Sequence, residues 1–282
     1  MNLPEGFIFS QGSLQDFVDC RRRFQLRYLK RLAWPALETE PALEAERYLQ
    51  QGALFHRMVQ QHLLGVPAER LSPAVAGEDL GRWWGNYLEF HKDLTGFGNL
   101  SGRYYPEVSL SAALGAYRLE AKYDLVVIQP ERSEAGVLIY DWKTSRRKPE
   151  RRWLAKRLQT RLYPYLLSRA GAPLNGGQAL PPERIEMVYW FADHPSQLER
   201  FVYSAQAFQE DEAYLNDLIG TILRLGEDDF PLTSDLRRCA YCVYRSLCER
   251  GARAGDLDQV EVDLGEESSL GLDFEQIAEI EF

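Results

Sequence analysis

The chain carries the stretch Val-Leu-Ile-Tyr-Asp-Trp-Lys at residues 137–143, an apolar strand that ends on an acid and a lysine. Because side chains alternate between the two faces of a strand, Asp141 and Lys143 are predicted to share one face. A second stretch, Lys-Tyr-Asp-Leu-Val-Val-Ile at residues 122–128, has the same period. The turn-rich segment between the two predicts an antiparallel hairpin. Pairing of these strands would bring Asp124 close to Asp141 and Lys143.

Two acids and a lysine need a compensating charge if an apolar hairpin buries them. A divalent cation would supply it, with Asp124 and Asp141 as ligands and the carbonyl of Trp142 as a third oxygen. Hard oxygen ligands of this kind suit Mg²⁺ or Mn²⁺. Such an ion promotes attack of water on a phosphodiester, and Lys143 would orient the water. A surface salt bridge at the end of a hairpin is the alternative reading of the same residues.

Around the hairpin the pattern predicts helices, then strands, then helices. Three helices, the first capped by Ser13, are predicted over about residues 14–31, 41–64 and 78–94. Later elements are a strand region from Tyr104 to the hairpin, a helix over about 149–170, strands near 184–191 and 199–204, and a helix over about 205–225. The order is typical of one α/β domain, a central mixed sheet flanked by helices. Its parts are a helical part over 1–100, a sheet core over 101–205, and a helix with a cysteine cluster over 206–250.

Length and composition are those of an ordinary globular protein. The chain has 282 residues, of which 45% are hydrophobic and 27% are charged. No apolar run approaches the roughly 20 residues of a membrane span, and the first residues lack the pattern of a secretory signal. We therefore expect a cytoplasmic protein without a membrane partner, in a compartment where structural disulfides are rare.

The net charge of −9 is concentrated at the C-terminal end of the chain. Residues 251–282 contain ten acids and one base, which leaves 32 acidic and 32 basic residues in the body. A neutral body is compatible with binding to a nucleic acid. The acidic tail, residues 251–282, is predicted to be flexible or to dock on a protein partner.

A basic segment at residues 146–161 follows Lys143 directly and holds eight basic residues against one acid. Such a cluster is predicted to track phosphates, with an interleaved tryptophan for base stacking. A solvated helix face is the alternative. The candidate DNA-binding residues are Arg146, Arg147, Lys148, Arg151, Arg152, Trp153, Lys156 and Arg157.

Three further polar residues lie on predicted helices. His56 is in the middle of a helix beside Phe55 and Val59, where a lone histidine is more often a core residue than a ligand. Gln159 and Tyr163 share a helix face at positions i and i+4. Taken alone, that spacing fits a packing or capping detail as well as a site.

In their order along the chain, these residues resemble the RecB-like branch of the PD-(D/E)xK nucleases. The matching residues are His56, Asp124, Asp141, Trp142, Lys143, Gln159, Tyr163, Cys20, Cys239, Cys242 and Cys248. The resemblance spans about residues 8–250 and is closest to members with an iron–sulfur cluster. Those members are the CRISPR-associated RecB-like exonucleases and the AddB nuclease domain.

The resemblance implies a restriction-endonuclease-like fold and a metal-dependent DNA nuclease, often an exonuclease on single-stranded ends. The implied metal ligands are His56, Asp124 and Asp141, and the other implied site residues are Lys143, Gln159 and Tyr163. Glu107, at the head of the first strand, has a supporting role. The implied pathways are DNA repair, recombination or CRISPR adaptation. The alternative is a DNA-binding or scaffold subunit of a helicase–nuclease or spacer-acquisition complex, with little activity alone.

The four cysteines are divided between the two ends of the body, with Cys20 near the start and Cys239, Cys242 and Cys248 near its end. Four thiolates can hold a [4Fe–4S] cluster, a Cys₄ zinc site has equally suitable spacing, and plain buried thiols are a third reading. The resemblance favours the iron–sulfur cluster. A centre that closes so long a loop would stabilise the fold by about 4–5 kcal/mol if the estimate for disulfides applies.

The sequence departs from the family pattern at two positions. Ala121 stands where the family usually has glycine, three residues before Asp124. Arg21 stands where proline often follows the first cysteine. Neither departure removes a ligand, so we still expect activity.

Overall fold

A computed structural model describes residues 3–32, 40–96, 102–129, 136–240 and 242–251. The α-helices are α1 (Gln11–Asp19), α2 (Arg21–Phe24), α3 (Glu40–Leu63), α4 (Ala68–Leu71), α5 (Glu78–Gly96), α6 (Arg151–Leu154), α7 (Leu158–Ala170) and α8 (Ala205–Arg224), and a π-helical turn (Gln25–Leu29) continues α2. The strands are β1 (Ile8–Ser10), β2 (Arg103–Leu114), β3 (Tyr117–Ile128), β4 (Val137–Lys143), β5 (Ile185–Phe191) and β6 (Glu199–Val202). All but the first residue of the predicted acidic tail lies outside the described residues.

The six strands form one mixed sheet in which the long strand β3 has three partners. One edge of β3 pairs antiparallel with β2. Its other edge pairs with β1 in parallel near one end and with β4 antiparallel near the other. Strand β4 then pairs in parallel with β5, and β5 antiparallel with β6. The predicted α/β class with a central mixed sheet is confirmed.

Helices cover both faces of the sheet, and each face buries its own apolar cluster. One cluster includes Phe17 of α1 and Leu162 of α7. The other packs Trp83 of α5 against Trp142 and Trp190 of the two central strands, with each tryptophan at most 1% exposed. Because both faces are covered, β4 and β5 are buried along their whole length. Among the described residues, no helix is both long and apolar enough to cross a membrane.

The first predicted helix, over residues 14–31, is interrupted at Cys20, whose backbone is extended (φ −161°, ψ 109°) between α1 and α2. The predicted cap is also wrong. Ser10 is the N-cap of α1, and Ser13 is its partner at helix position N3 in a capping box. Arg21 is the first residue of α2, a position that suits proline. Helical periodicity continues through a break of one residue, so the sequence pattern did not reveal it.

The helix predicted over residues 149–170 is also interrupted, and it forms the separate helices α6 and α7. Arg157 is extended (φ −66°, ψ 142°) immediately before α7. The backbone N–H of Leu158 donates to Oε1 of Gln15 on α1 at 3.1 Å. A contact with another element therefore stabilises this helix start, which local periodicity does not indicate.

Side-chain alternation in β3 changes phase near Asp124, so the regular period of two predicted from the sequence is interrupted there. Tyr123 and Val126, one odd-numbered and one even-numbered, belong to the same apolar cluster. Lys122 is exposed instead of sharing the buried face of Val126. The pairing register places Glu107 of β2 opposite Asp124, and Glu107 has a left-handed backbone with φ 52°. A conformation of this kind costs about 1–2 kcal/mol and interrupts the regular pleat.

Two histidines meet where α3 packs against α5. The ring centres of His62 and His91 lie 4.5 Å apart, and Nδ1 of His62 is 3.1 Å from the hydroxyl oxygen of Tyr87. Burial lowers the pKa of His62 and outweighs the opposite effect of Glu69. Burial, together with the neighbouring His62, lowers the pKa of His91. Both imidazoles therefore bind a proton less readily in the folded chain than a free histidine does.

We expect this pair to make folding less stable as the pH falls below about 6.5, the ordinary pKa of histidine. In that range the unfolded chain takes up protons that the folded chain does not, so acid favours unfolding. The melting temperature of wild type should fall more between pH 7.5 and pH 5.5 than that of a double variant, His62→Gln with His91→Gln. Calorimetry at both pH values tests this, and equal decreases in the two proteins would contradict it.

Candidate active site

The acids and the lysine of the β3–β4 hairpin converge. The register of the hairpin brings Asp124 and Asp141 next to each other, one step beyond the last regular pair. Oδ2 of Asp124 accepts a hydrogen bond from the backbone N–H of Trp142 at 2.7 Å. Nζ of Lys143 lies 2.8 Å from Oδ2 of Asp141. The hairpin thus places two carboxylates and one ammonium in a single cluster, as the sequence predicted.

Asp141 is the most enclosed member of this cluster. It is 1% exposed, and Lys143 is 7% exposed. Oδ1 of Asp141 accepts a hydrogen bond from Nε2 of Gln159 at 2.5 Å. Buried charges are tolerated when they are paired and hydrogen-bonded, and here both carboxylate oxygens have a partner. Gln159, in the first turn of α7, therefore orients the Asp141 carboxylate.

Tyr163 lies one helical turn beyond Gln159 and packs against Tyr123 of β3. The two ring centres are 4.9 Å apart, and the Tyr123 hydroxyl donates to the carbonyl of Tyr163 at 3.0 Å. Tyr163 is 7% exposed and joins the apolar cluster beneath the site. This contact supports α7 against the sheet, and a role for Tyr163 in the site stays a prediction.

His56 reaches the acids from the middle of α3. Its Nδ1 lies 3.3 Å from Oδ1 of Asp124. Burial alone would raise the pKa of Asp124, but His56, the N–H of Trp142 and the charge of Lys143 together lower it below its usual value. Asp124 is therefore a carboxylate at neutral pH, as a metal ligand must be.

His56, Glu107 and Asp124 form a candidate ligand group, with their ligand atoms within 4.8 Å of one another. Opposite ligands of an octahedral magnesium ion are about 4.2 Å apart at bond lengths of 2.0–2.1 Å, so this group fits one divalent ion. Asp141 lies outside the group. One of its carboxylate oxygens pairs with Lys143, and the other accepts a hydrogen bond from Gln159. The role of Asp141 as a ligand, and that of the Trp142 carbonyl, stay predictions.

Glu107 lies closer to the candidate metal ligands than its predicted supporting role required. An acid at the head of the first strand was the available signal, and it suggested only a supporting role. The left-handed backbone of Glu107 and its place opposite Asp124 bring the carboxylate into the ligand group. Lys122 forms an ion pair with the same carboxylate. Backbone strain at this position agrees with a functional use of the residue.

Much of the basic segment after Lys143 is engaged in ion pairs within the protein. Lys148 and Arg151 both pair with Glu199 of β6, at 2.5 and 2.9 Å. Arg152 pairs with Glu150. The number of charges available to a phosphate is therefore smaller than the sequence count suggests, because β6 brings an acid to the segment.

The remaining residues of the segment differ in exposure. Arg157 is buried and its guanidinium covers the ring of Trp153 at 4.8 Å, so one face of the indole is already occupied. Arg146 packs over the ring of Tyr48 at 5.0 Å. Arg147 and Lys156 are exposed. Binding of DNA by this segment stays a prediction, and Arg147 and Lys156 are exposed charges that could take part in it.

The two cysteine-bearing segments pack against each other. Asp19 and Arg238, which precede two of the cysteines, form an ion pair at 3.3 Å. The hydroxyl of Tyr244 donates to the carbonyl of Leu32 at 2.9 Å. All four cysteines are free thiols, none of them in a disulfide. The last segment of the domain therefore lies on the first, as a centre shared by the two would require.

Burial is the main cause that raises the pKa of three of these thiols, and it raises that of Cys242 to about 11. Cys20 adds to the increase at Cys239, Cys242 and Cys248, so it lies close enough to act on all three. Metal ligation would require loss of these protons. The donor set suits an iron–sulfur cluster or zinc, and the choice between them stays a prediction.

Comparison with protein-family models identifies the family of the chain. The model described as the PD-(D/E)XK nuclease superfamily matches residues 8–249. The chain belongs to this superfamily. For the PD-(D/E)XK nucleases a restriction-endonuclease-like fold is expected, and the observed sheet with flanking helices agrees with it. The match identifies a nuclease and leaves the RecB-like branch and the iron–sulfur cluster as predictions.

Two solved structures similar to this PD-(D/E)XK nuclease share at most 15% sequence identity with it. One is the protein SSO0001, with 15% identity, a TM-score of 0.40 and 89% coverage of each chain. Another is described as a "putative exonuclease" from Eubacterium rectale, with 12% identity, a TM-score of 0.47 and coverage of 77% of this chain and 80% of the other. The comparison with curated proteins gives no match. The assignment rests on the family match.

Proposed function

We propose that this PD-(D/E)XK nuclease is a Mg²⁺- or Mn²⁺-dependent DNA nuclease that hydrolyses phosphodiester bonds, as an exonuclease on single-stranded DNA or on DNA ends. The observation that carries the proposal is the convergence of His56, Glu107 and Asp124 within 4.8 Å. The ion pair of Asp141 with Lys143 lies on the hairpin that also carries Asp124. The preference for single strands and ends comes from the resemblance described above.

The residues that would hold the ion are His56, Glu107 and Asp124, with Asp141 and the Trp142 carbonyl as further oxygens. An imidazole among carboxylates makes Mn²⁺ at least as suitable as Mg²⁺. When bound, a divalent ion supplies a Lewis acid for the phosphoryl group and lowers the pKa of a coordinated water.

The chain's own residues supply orientation and charge. Asp141 and Gln159 hold each other in a nearly dry environment, so the ammonium of Lys143 has a defined direction. Hydrolysis of a phosphodiester develops negative charge, and a fixed ammonium stabilises that charge without having to reorganise during the reaction. Asp124 remains ionised because the groups around it lower its pKa.

Replacement of Asp124 by asparagine is expected to weaken Mn²⁺ binding by at least about tenfold and DNA digestion by about a hundredfold. The amide keeps the shape of the side chain but removes the charge that attracts the cation. Calorimetric titration with Mn²⁺ measures the binding, and degradation of end-labelled single-stranded DNA measures the activity. Chelation by EDTA should abolish digestion by wild type.

Asp193→Asn provides a matched control. Its carboxylate side chain is 10% exposed, against 14% for Asp124, and it accepts hydrogen bonds from Arg82 and Trp83 outside the site. This variant should bind Mn²⁺ and digest DNA as wild type does. Undiminished digestion by Asp124→Asn, or digestion by wild type in EDTA, would refute the site.

The alternative of a binding or scaffold subunit predicts an inert site, and a protein shortened to end at Ala254 tests it. If full-length and shortened proteins both fail to digest DNA in Mn²⁺, the scaffold reading is favoured. If only the shortened protein is active, the acidic tail regulates the enzyme. Digestion by both proteins supports an autonomous nuclease.

A further inference from the structure

We propose that Gln15 is a positioning residue for the Asp141 carboxylate, acting through the first turn of α7 and held in place by the cysteine-bearing segments. The inference rests on the proposed function, because it assigns a catalytic consequence to a contact outside the ligand group. Gln15 was not among the candidate residues of the sequence analysis. Its part becomes visible only from hydrogen bonds between elements that are distant along the chain.

The N-terminus of α7 is capped by Gln15, a residue of α1. The first N–H groups of a helix have no partner within the helix. Arg157, at the N-cap of α7, makes no side-chain hydrogen bond to them. Oε1 of Gln15 instead accepts the N–H of Leu158 at 3.1 Å, across 143 residues of sequence. Gln15 is 4% exposed and Leu158 is 1% exposed, so water is poorly placed to replace this contact.

Gln159 connects this cap to the site. Gln159 follows the capped residue directly, and its Nε2 donates to Oδ1 of Asp141 at 2.5 Å. Gln159 and Asp141 are each 1% exposed. Because a helix rises by about 1.5 Å per residue, a slip of one residue at this end would carry the amide away from the carboxylate. Such a displacement also disturbs Lys143, which pairs with the same carboxylate.

Gln15 is itself held in place by a hydrogen bond to Asp19. Its Nε2 donates to Oδ1 of Asp19 at 2.9 Å. The Leu158 N–H can only donate and the Asp19 carboxylate can only accept, so the orientation of the Gln15 amide is determined by its partners. Oδ2 of Asp19 pairs with Arg23 at 3.2 Å and with Arg238 at 3.3 Å. The residue that caps α7 is therefore anchored by the segments that carry the cysteines.

Replacement of Gln15 by leucine is expected to lower kcat for Mn²⁺-dependent digestion of single-stranded DNA by about tenfold, since small displacements at a catalytic centre have effects of this size. The KM for DNA should change by less than about twofold, because Gln15 lies beneath the site and not on the proposed DNA surface. Hydrogen exchange at the Leu158 amide should become faster, because the amide loses its acceptor. Kinetics of the purified full-length protein and exchange mass spectrometry measure the two effects.

Gln25→Leu is a matched control for the loss of a buried amide. Gln25 is 3% exposed in the same N-terminal part, but its Nε2 donates to the carbonyl of Glu227 at 2.6 Å and not to α7. We expect a comparable decrease in melting temperature with kcat and Leu158 exchange unchanged. Gln15→Glu combined with Asp19→Asn retains an acceptor oxygen for Leu158 and reverses the donor and acceptor between residues 15 and 19, so both contacts of residue 15 are kept. The kcat of this double variant should stay within about threefold of wild type.

The inference is wrong if Gln15→Leu and Gln25→Leu have equal kcat values at the same folded fraction. It is also wrong if exchange of the Leu158 amide is unchanged in Gln15→Leu. Both outcomes are distinct from failure of the proposed function, which would appear as absence of Mn²⁺-dependent digestion by wild type. The exchange measurement tests the cap whatever the activity.

Discussion

Replacement of Lys143 by methionine is expected to lower kcat for DNA hydrolysis by about 10²–10³-fold, comparable to the loss of a preorganised oxyanion donor. Methionine keeps the length and apolar character of the side chain and removes the ammonium that faces Asp141. Without it, negative charge developing on the phosphoryl oxygens loses a fixed cation. Digestion of end-labelled single-stranded DNA in Mn²⁺ measures the effect.

The same substitution also breaks a buried ion pair, and removal of one partner from such a pair commonly costs about 3–5 kcal/mol. The control must therefore break an ion pair with an enclosed carboxylate elsewhere, and the one chosen has an arginine that is 46% exposed, against 8% for Lys143. Arg82→Met serves this purpose, because Nε of Arg82 pairs at 2.7 Å with Asp193, whose side chain is 10% exposed. We expect Arg82→Met to be less stable than wild type but fully active when folded. Activity of Lys143→Met equal to that of Arg82→Met would refute a catalytic part for the lysine.

Replacement of Cys239 by alanine is expected to remove the metal centre and to destabilise both ends of the domain. The centre would close a loop of about 220 residues, and the corresponding disulfide estimate is about 4–5 kcal/mol. For a chain of this size, such a loss lowers the melting temperature by about 10–20 °C. Anaerobic purification, iron analysis and thermal unfolding of wild type and variant measure the centre and its effect.

Tyr244→Phe is the control for this segment, because it removes only the hydroxyl that donates to Leu32 and leaves the thiols intact. Its expected cost is about 1 kcal/mol, the usual value for one hydrogen bond. A melting temperature of Cys239→Ala equal to that of wild type would contradict a stabilising centre. Brown wild-type protein with about four irons per chain would support the iron–sulfur reading, and colourless protein with one zinc would support the alternative.

Local sequence patterns predicted most of the elements around the site. The apolar run before Asp141 and Lys143 indicated a buried strand, and the turn-rich segment before it indicated the hairpin. Helix and strand boundaries agree within a few residues where an element has a continuous pattern, as for α3, α5 and α8. The short strand β1 was not predicted, because three residues are too few to show alternation.

Features that depend on contacts between distant residues were not predictable in this way. The start of α7 is capped by Gln15, and Lys148 and Arg151 form ion pairs with Glu199 of β6. A count of charges along the chain cannot include an acid that lies 50 residues away. The phase change in β3 lies opposite Glu107, whose left-handed backbone is one that non-glycine residues seldom adopt.

The sequence by itself determined that an acid–lysine strand would pair with a second acidic strand inside a mixed α/β sheet. It did so because alternation, turn residues and charge are properties of neighbouring residues. Only the tertiary structure decided that Glu107 joins His56 and Asp124, and that Gln15 caps the helix carrying Gln159. Those contacts require atoms from several elements to come within about 3–5 Å, and packing of the whole domain controls such distances.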